Sequence, residues 1–158
     1  MPLWGIRVDR TYQEEYVFGA ILHLANKLQM WGDSIIEDMT IKQWFLLILI
    51  SKMNVQNPTV KEIADFSGSS RQNTKKILEQ LENKKYVQIT GSKTDERALN
   101  VKLSEKTWKY FTANEKKAAD SVNKLFTNIT NKELSFTYKT LEKLLMMFDI
   151  KVKLGEVE

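Results

Sequence analysis

Residues 59–104, TVKEIADFSGSSRQNTKKILEQLENKKYVQITGSKTDERALNVKLS, decide the fold of this chain. Thr59 followed three residues later by Glu62 predicts a capping box, in which each residue satisfies a backbone amide at the start of a helix. The short helix that follows is expected to bury Val60, Ile63, Ala64 and Phe66. Residues 67–69, SGS, end it, because glycine adopts the left-handed conformation of a helix C-terminus at no steric cost.

A second helix follows at once, and one of its faces is polar and basic. Ser70 can cap its first amides through the hydroxyl oxygen. Its apolar or semi-apolar positions recur at the helical spacing i, i+3, i+4 and i+7 and face the core: Thr74, Ile77, Leu78 and Leu81. The positions left facing solvent before the first carboxylate are Arg71, Gln72, Asn73, Lys75 and Lys76. Guanidinium pairs with guanine, an amide with adenine and lysine with phosphate, so this face suits double-stranded DNA.

Residues 86–103 predict a two-stranded hairpin. Residues 86–89 and 98–103 alternate between apolar and polar as strands do, and GSKTD between them is typical of a turn. The loop carries Lys93 and Arg97, and an arginine on such an arm suits the narrow minor groove, where negative potential is concentrated. The whole stretch therefore predicts a winged helix-turn-helix in a mainly α-helical protein with a small β-wing.

These residues resemble those of the MarR family of bacterial transcriptional regulators. The resemblance rests on Ile63-Ala64 in the short helix, on a second helix that runs from Ser70 to Leu81-Glu82, and on the wing motif Asp95-x-Arg97-x-x-x-Val101-x-Leu103-Ser104. It implies a homodimer that binds palindromic promoter DNA, with the second helix in the major groove and the wing arginine in the minor groove. The predicted DNA-binding residues are Ser70, Arg71, Gln72, Asn73, Lys75, Lys76, Lys93 and Arg97.

The sequence departs from that family at Lys85, where a glycine usually precedes the first wing strand. The end of the second helix must then use Asn83 or a strained lysine, because a Cβ is unfavourable in the left-handed conformation that such an exit needs. The family pattern therefore does not fix the angle between the second helix and the wing in this chain.

The charge of the chain is concentrated in the central stretch. The net charge of the 158 residues is only +4, but residues 59–104 hold nine Lys or Arg against six Asp or Glu, and the rest is nearly neutral. Hydrophobic residues make up 42% and charged residues 28%, an ordinary globular balance. The absence of cysteine excludes disulfides and thiol redox sensing.

An amphipathic helix is predicted before the central stretch. Thr11 with Glu14 predicts a capping box for a long helix that ends at Gly32-Asp33. Ser34 with Glu37 predicts a brief helical turn after it. Residues 1–33 are therefore expected to contribute to dimerisation.

The next predicted helix is apolar nearly all round. It begins with Thr40 and Gln43, runs through WFLLILI at residues 44–50 and ends at about Met53. A helix of this kind must be covered on several sides, so it is the scaffold of the DNA-binding lobe. Its apolar run has seven residues, whereas a membrane span needs about 20, so we expect a cytoplasmic protein.

Two amphipathic helices are predicted beyond the wing. Ser104 caps the first, and Thr130 with Glu133 opens the second. Their apolar stripes exceed what a small winged domain can bury, which indicates that the two ends of the chain form a dimer interface. We expect residues 1–33 and 105–158 to be dimerisation helices and residues 34–104 to be the winged helix-turn-helix DNA-binding lobe.

Five apolar side chains are candidates for a small-molecule pocket: Phe18, Met30, Trp31, Trp44 and Met53. Members of the MarR family often bind phenolic or other apolar effectors between the dimer helices and the DNA-binding lobe, so the resemblance implies such a pocket. Ordinary core packing is the alternative, and it is favoured for any single residue because aromatic side chains at helical spacing are usually core.

The sequence contains no recognisable catalytic constellation, so we do not expect an enzyme. His23 is the only histidine, and a metal site usually needs three or four ligands. No metal and no cofactor are predicted.

We therefore expect a homodimeric transcriptional regulator that binds specific double-stranded DNA, as a repressor released by a small apolar or aromatic effector. The alternative is a winged-helix protein-interaction module without specific DNA binding, which the modest net charge leaves open. Salt-dependent binding to duplex DNA separates the two.

Overall fold

The protein is mainly α-helical with a two-stranded antiparallel sheet, as the sequence predicts. The computed structural model describes residues 9–91 and 99–148. The elements in chain order are α1 (Arg10–Ile35), α2 (Ile41–Lys52), α3 (Val60–Ser67), α4 (Arg71–Asn83), β1 (Val87–Gly91), β2 (Leu99–Leu103), α5 (Glu105–Leu125) and α6 (Asn131–Met147). The chain divides into two compact units, Met1–Trp44 and Phe45–Glu158.

The first helix begins earlier than the sequence predicts. Asp9 is its N-cap, and the carboxylate accepts a hydrogen bond from the Tyr12 amide at 2.9 Å. The predicted capping box is wrong, because Thr11 lies inside the first turn and Glu14 instead accepts a hydrogen bond from Arg10 Nε at 2.6 Å. An aspartate two residues upstream of Thr11 provides the same acceptor, so the helix starts there.

The end of α1 is also later than predicted. The helix continues through Gly32 to Ile35, and the predicted separate turn at Ser34 is wrong because its hydroxyl donates to the Trp31 carbonyl within α1. Gly32 is buried, and a Cβ built on it would lie 2.5 Å from Ile41 Cγ1. The glycine therefore permits a close approach of α1 and α2 rather than ending the helix.

The start of α2 agrees with the sequence. The Thr40 amide donates to Gln43 Oε1 at 3.1 Å and the Gln43 amide donates to Thr40 Oγ1 at 3.2 Å, which is the reciprocal pattern of a capping box. Asp33 Oδ1 accepts from the Ile41 amide at 2.6 Å. Three otherwise unsatisfied groups at this helix start are thus provided with partners.

Most of the buried apolar side chains among the described residues lie in the second unit. Its fully or almost fully buried side chains come from the later part of α2, from α3 and α4, and from the sheet: Leu46, Leu47, Leu49, Ile50, Val60, Ile63, Ala64, Leu78, Leu81, Tyr86, Val87 and Val101. Of the four residues expected to be buried on α3, Phe66 is only half-buried. The later part of α2 is buried, as the sequence predicts for a helix that is apolar nearly all round, and its role as the scaffold of the DNA-binding lobe stays a prediction.

Both ends of α3 are as predicted. Thr59 and Glu62 form a capping box, and the amide and hydroxyl of Thr59 hold the pKa of the Glu62 carboxyl below its usual range. At the other end Gly68 has φ 65°, and the amide of Ser69 donates to the Ala64 carbonyl at 3.0 Å. The turn between α3 and α4 therefore depends on one left-handed glycine.

The sheet pairs β1 with β2 in a register that runs from Val87 opposite Leu103 to Gly91 opposite Leu99. The chain just before α3 joins it, because the Pro58 carbonyl accepts from the Val101 amide at 2.9 Å and Thr59 forms an isolated bridge with Asn100. The start of α3 is thereby fixed to the base of the wing. Of the predicted turn, residues 91–95, Gly91 is the last residue of β1 and the others lie outside the described residues.

The last two helices leave most of their apolar side chains exposed. Ser104 caps α5, and Thr130 with Glu133 forms the predicted capping box of α6. Thr107 is the buried residue of α5, and α6 has no buried residue. Within the described ranges, no helix is long and apolar enough to cross a membrane.

Candidate nucleic-acid interface

The predicted DNA-reading face of α4 is open to solvent. Ser70 is the N-cap, and its hydroxyl accepts from the Asn73 amide at 3.2 Å. Thr74, Leu78 and Leu81 are buried and Ile77 is half-buried, so the apolar stripe faces the core as expected. The exposed residues at the start of the helix are Arg71, Gln72, Asn73, Lys75 and Lys76.

Two of these side chains have local partners that restrict them. Asn73 Nδ2 donates to Ser69 Oγ at 3.0 Å, and Lys75 Nζ lies 3.7 Å from Glu79 Oε1. Sequence reasoning missed the role of Ser69, although its i to i+4 spacing from Asn73 is a signal for such a pair. The amide of Asn73 is therefore held at the turn, with its carbonyl oxygen and second N–H still available for a ligand.

The remaining three side chains, Arg71, Gln72 and Lys76, make no hydrogen bond or ion pair with other described residues. An open depression along the helix is lined by Ser70, Gln72, Asn73, Lys75, Lys76 and Glu79. Side chains without intramolecular partners can bind a ligand without first breaking a protein contact. The geometry thus brings cationic and amide donors to one exposed surface.

The electrostatics of this surface favour an anion. The first turn of α4 has no acidic residue, and its backbone amides carry the positive end of the helix dipole, roughly half an elementary charge. Arg71, Lys75 and Lys76 add full positive charges at the same end. Helix N-termini with this composition suit phosphate groups.

The exit from α4 uses the strained lysine rather than Asn83. Lys85 has φ 64°, in the left-handed region. Its amide donates to the Glu82 carbonyl at 2.8 Å, and the Tyr86 amide donates to the Leu81 carbonyl at 2.9 Å. This pair of hydrogen bonds is a Schellman motif, and lysine occupies the left-handed position that most often holds glycine.

The other predicted site residues are placed as follows. Lys93 and Arg97 of the wing lie outside the described residues. Of the pocket candidates, Phe18, Met30 and Trp31 lie on α1, Trp44 lies on α2 and Met53 follows it. Phe18 and Met30 are 68% and 67% exposed, whereas the other three are half-buried. Their role in binding an effector stays a prediction.

No metal centre is present in the described part of the chain. His23 is exposed on α1, and no three His, Cys, Asp or Glu residues of residues 9–91 and 99–148 lie in positions to hold an ion.

The central part of the chain matches a known family. Residues 37–98 match the model of the MarR family. A curated relative, the transcriptional repressor MprA of Escherichia coli strain K12, is 27% identical over 100 residues. That match covers 62% of this chain and 57% of the relative, so the chain spans little more than half the length of the relative it matches.

Solved structures have the same fold. A MarR/EmrR family transcriptional regulator from Acinetobacter sp. ADP1 superposes with a TM-score of 0.73 at 21% identity, over 86% of this chain and 96% of that one. The S. aureus MepR–DNA complex gives a TM-score of 0.71 at 21% identity, over 85% and 96%. The family match lies on the residues that build the helix-turn-helix, and the fold is that of the solved MarR-family regulators.

Proposed function

We propose that this MarR-family transcriptional regulator is a homodimeric repressor that binds a specific double-stranded DNA sequence. The observation that carries the proposal is the exposed cationic and amide face at the start of α4, set on a core that buries the opposite face. The DNA in the MepR complex and the repressor role in the name of MprA support it. The family is one of transcriptional regulators and not of enzymes, and the proposed location is the cytoplasm, where bacterial promoters lie.

In this proposal α4 enters the major groove. Arg71 and Gln72 read base edges, because a guanidinium matches guanine and an amide matches adenine. Asn73 reads a base with the part of its amide that Ser69 does not use. Lys75 and Lys76 bind flanking phosphates, which fix the position of the helix without reading sequence.

The wing supplies a second contact. Arg97 is proposed to enter the minor groove and Lys93 to contact the neighbouring backbone. An arginine gains from the negative potential of a narrow groove without a base-specific pattern. The pairing of β1 with β2 supports this assignment, because the two strands stay in register up to Gly91 and Leu99, next to the segment that carries both residues.

A second copy of the chain is proposed to cover the exposed apolar side chains. On α1, Tyr16 and Phe18 are 66% and 68% exposed, and on α6, Phe136 is 61% exposed. Exposed apolar side chains in such numbers favour an interaction site on each helix. The dimer then sets the distance between two α4 helices, so that each meets one half of a palindromic site.

Release of the repressor is proposed to follow from binding of a small apolar or aromatic molecule. Phe18, Met30, Trp31, Trp44 and Met53 remain the candidate contacts. An effector that favours a different distance between the two α4 helices removes the fit to successive major grooves.

One experiment tests the central proposal. Duplexes are selected from a random pool by the purified protein, and affinity for the selected and a scrambled duplex is measured at several salt concentrations, with the number of chains per duplex. We expect two chains per duplex, preference for the selected sequence, and a logarithm of affinity that falls linearly with the logarithm of salt concentration. Equal affinity for both duplexes contradicts sequence-specific binding, and the absence of salt-dependent binding favours a protein-interaction module.

A further inference from the structure

Three side chains at the start of α5 contact the exit from α4. They donate hydrogen bonds to three consecutive carbonyl oxygens: Lys106 Nζ to Lys84 at 2.9 Å, Ser104 Oγ to Lys85 at 2.8 Å, and Thr107 Oγ1 to Tyr86. We call Ser104, Lys106 and Thr107 the exit clamp. It connects positions about 20 residues apart in sequence, so it is a tertiary contact and not a helix cap alone.

Lys106 also contacts a buried ring. Its Nζ lies 4.2 Å from the centroid of the Tyr86 ring, and Tyr86 is 1% exposed. An ammonium group over an aromatic face is attracted by the ring quadrupole. Tyr110 of α5 packs edge-on against the same ring, with centroids 5.6 Å apart. One lysine therefore holds both the backbone and a core side chain of the α4 exit.

The segment that the exit clamp holds is strained. Lys85 is left-handed, and an L-residue with a Cβ is disfavoured in that conformation, whereas glycine is not. Contacts from surrounding structure are needed to keep a residue in such a conformation. The exit clamp supplies them from α5, at the carbonyls of Lys85 and of both its neighbours.

We propose that Lys106 and Thr107 are positioning residues that fix the angle between α4 and α5 through the strained Lys85. This inference rests on the proposed function of α4 in reading DNA. If α5 belongs to the dimer, the exit clamp transmits the geometry of the dimer to the recognition helix. Without the exit clamp, α4 should stay folded, but the distance between the two α4 helices of a dimer should be less strictly fixed. The dimer should then discriminate less between DNA sites with different half-site spacing.

The DNA test uses the duplex that the parent protein selects from a random pool, and the same duplex lengthened by one base pair at its centre. Lys106→Met retains most of the aliphatic chain but loses the ammonium group. We expect it to reduce the discrimination between the two duplexes by roughly two- to thirtyfold, the range of mutations that alter coupling between sites. Affinity for a scrambled duplex and the melting temperature should match those of the control Lys109→Met.

Lys109→Met is a matched control because it removes one charge from the same exposed helix turn. Lys109 pairs with Glu105 at 2.7 Å, within α5. A loss of discrimination in both variants would show a charge effect and overturn the positioning role. Thr107→Val provides a second variant that removes a donor without charge, and it should act in the same direction as Lys106→Met.

A variant without the strained lysine shows whether the exit clamp positions α4 through Lys85 or only stabilises the protein. Lys85→Gly removes the strain, so Lys106→Met should reduce discrimination less in that background than in the parent. Equal reductions in the two backgrounds would mean that the exit clamp does not act through Lys85, and would overturn the proposal.

Hydrogen exchange gives a readout that does not depend on DNA. The amides of Lys85 and Tyr86, which close the Schellman motif, should exchange faster in Lys106→Met than in Lys109→Met. If these amides exchange at the same rate in both variants, the exit clamp does not hold the end of α4, and the proposal is overturned even where DNA binding is normal. If the parent protein selects no duplex, the proposed function fails, and with it the positioning role in DNA binding.

Discussion

Glu82, in the last turn of α4, accepts a hydrogen bond from the backbone amide of Ile89 in β1, with 2.7 Å between Oε1 and the amide nitrogen. The carboxylate thereby joins α4 directly to the first strand of the wing. Residues 84–86 make the covalent link between them, and Glu82 adds a second link that bypasses it. The two elements that we propose to enter neighbouring grooves are therefore held as one piece.

Loss of this link should lower stability. Glu82→Ala is expected to reduce the free energy of unfolding by about 1 kcal/mol, since it removes one hydrogen bond to a strand amide at an exposed site. The matched control is Glu79→Ala, one turn earlier, whose carboxylate only faces Lys75 at the surface. Urea denaturation at fixed protein concentration measures both. Equal effects in the two variants would show that the Ile89 bond contributes nothing.

Two glycines of α1 should respond to alanine with opposite sign. A Cβ at Gly32 would lie 2.5 Å from Ile41 Cγ1, whereas one at Gly19 has no heavy atom within 4 Å. Gly32→Ala should destabilise the protein by about 1 to 3 kcal/mol through overpacking. Gly19→Ala should stabilise it by roughly 0.5 to 1 kcal/mol, because alanine loses less entropy in a helix. Thermal melting at one protein concentration compares them, and destabilisation of similar size by both would refute the close approach at Gly32.

The hydroxyl of Thr74 is expected to be unfavourable for stability. Thr74 is 1% exposed, and its Oγ1 has no hydrogen-bond partner among the described residues. Thr74→Val replaces the hydroxyl with a methyl group of similar shape and should raise the free energy of unfolding by about 1 kcal/mol. Thr74→Ser, which retains the hydroxyl, should not. DNA affinity should be unchanged, because this residue faces the core, and a loss of stability in the valine variant would indicate an unseen partner.

The N-terminus of α3 should weaken in acid. The amide and the hydroxyl of Thr59 lower the pKa of Glu62 in the folded protein relative to the unfolded chain. The folded state therefore gains stability above the usual glutamate pKa of about 4.3, and this gain disappears as the pH falls through the lower folded value. Carboxyl NMR titration should place the pKa of Glu62 below the usual glutamate value, and Thr59→Ala should raise that pKa. An unchanged titration in that variant would exclude Thr59 as the cause.

Base-reading and phosphate-binding residues of α4 should differ in their effect on specificity. Gln72→Ala should weaken binding to the selected duplex by about 1 to 3 kcal/mol and leave the scrambled duplex unaffected. Lys76→Ala should weaken both alike and reduce the slope of log affinity against log salt by about 1. Both side chains are exposed, so melting temperatures should stay near that of the parent. Identical profiles for the two variants would contradict the division of roles.

The sequence by itself determined the features that depend on residues within one helical turn. The capping boxes at Thr59 and at Thr130, and the cap at Ser70, were predicted and are present. The helix start at Thr40 and Gln43 was also predicted. They could be predicted because donor and acceptor lie three residues apart and the spacing fixes their geometry. The outward face of α4 was predicted for the same reason, from the period of its apolar residues.

Where local sequence signals competed for the start or end of α1, the folded structure decided between them. Asp9 and Thr11 are both suitable caps, and only the folded structure shows that α1 starts at the first of them. Gly32 has the composition of a helix end, but it lies inside α1 because Ile41, nine residues later, packs against it. Packing between elements overrode the local preference in this case.

Only the tertiary structure decided how α4 ends. From the sequence, Asn83 and Lys85 were both candidates for the exit, and intrinsic preference does not favour a left-handed lysine. The structure places Lys85 there and shows contacts that hold it, from Ser104, Lys106 and Thr107. These contacts come from a different helix, so no pattern within the α4 stretch could reveal them. A conformation that is unfavourable locally is selected when distant side chains bind the backbone groups that it presents.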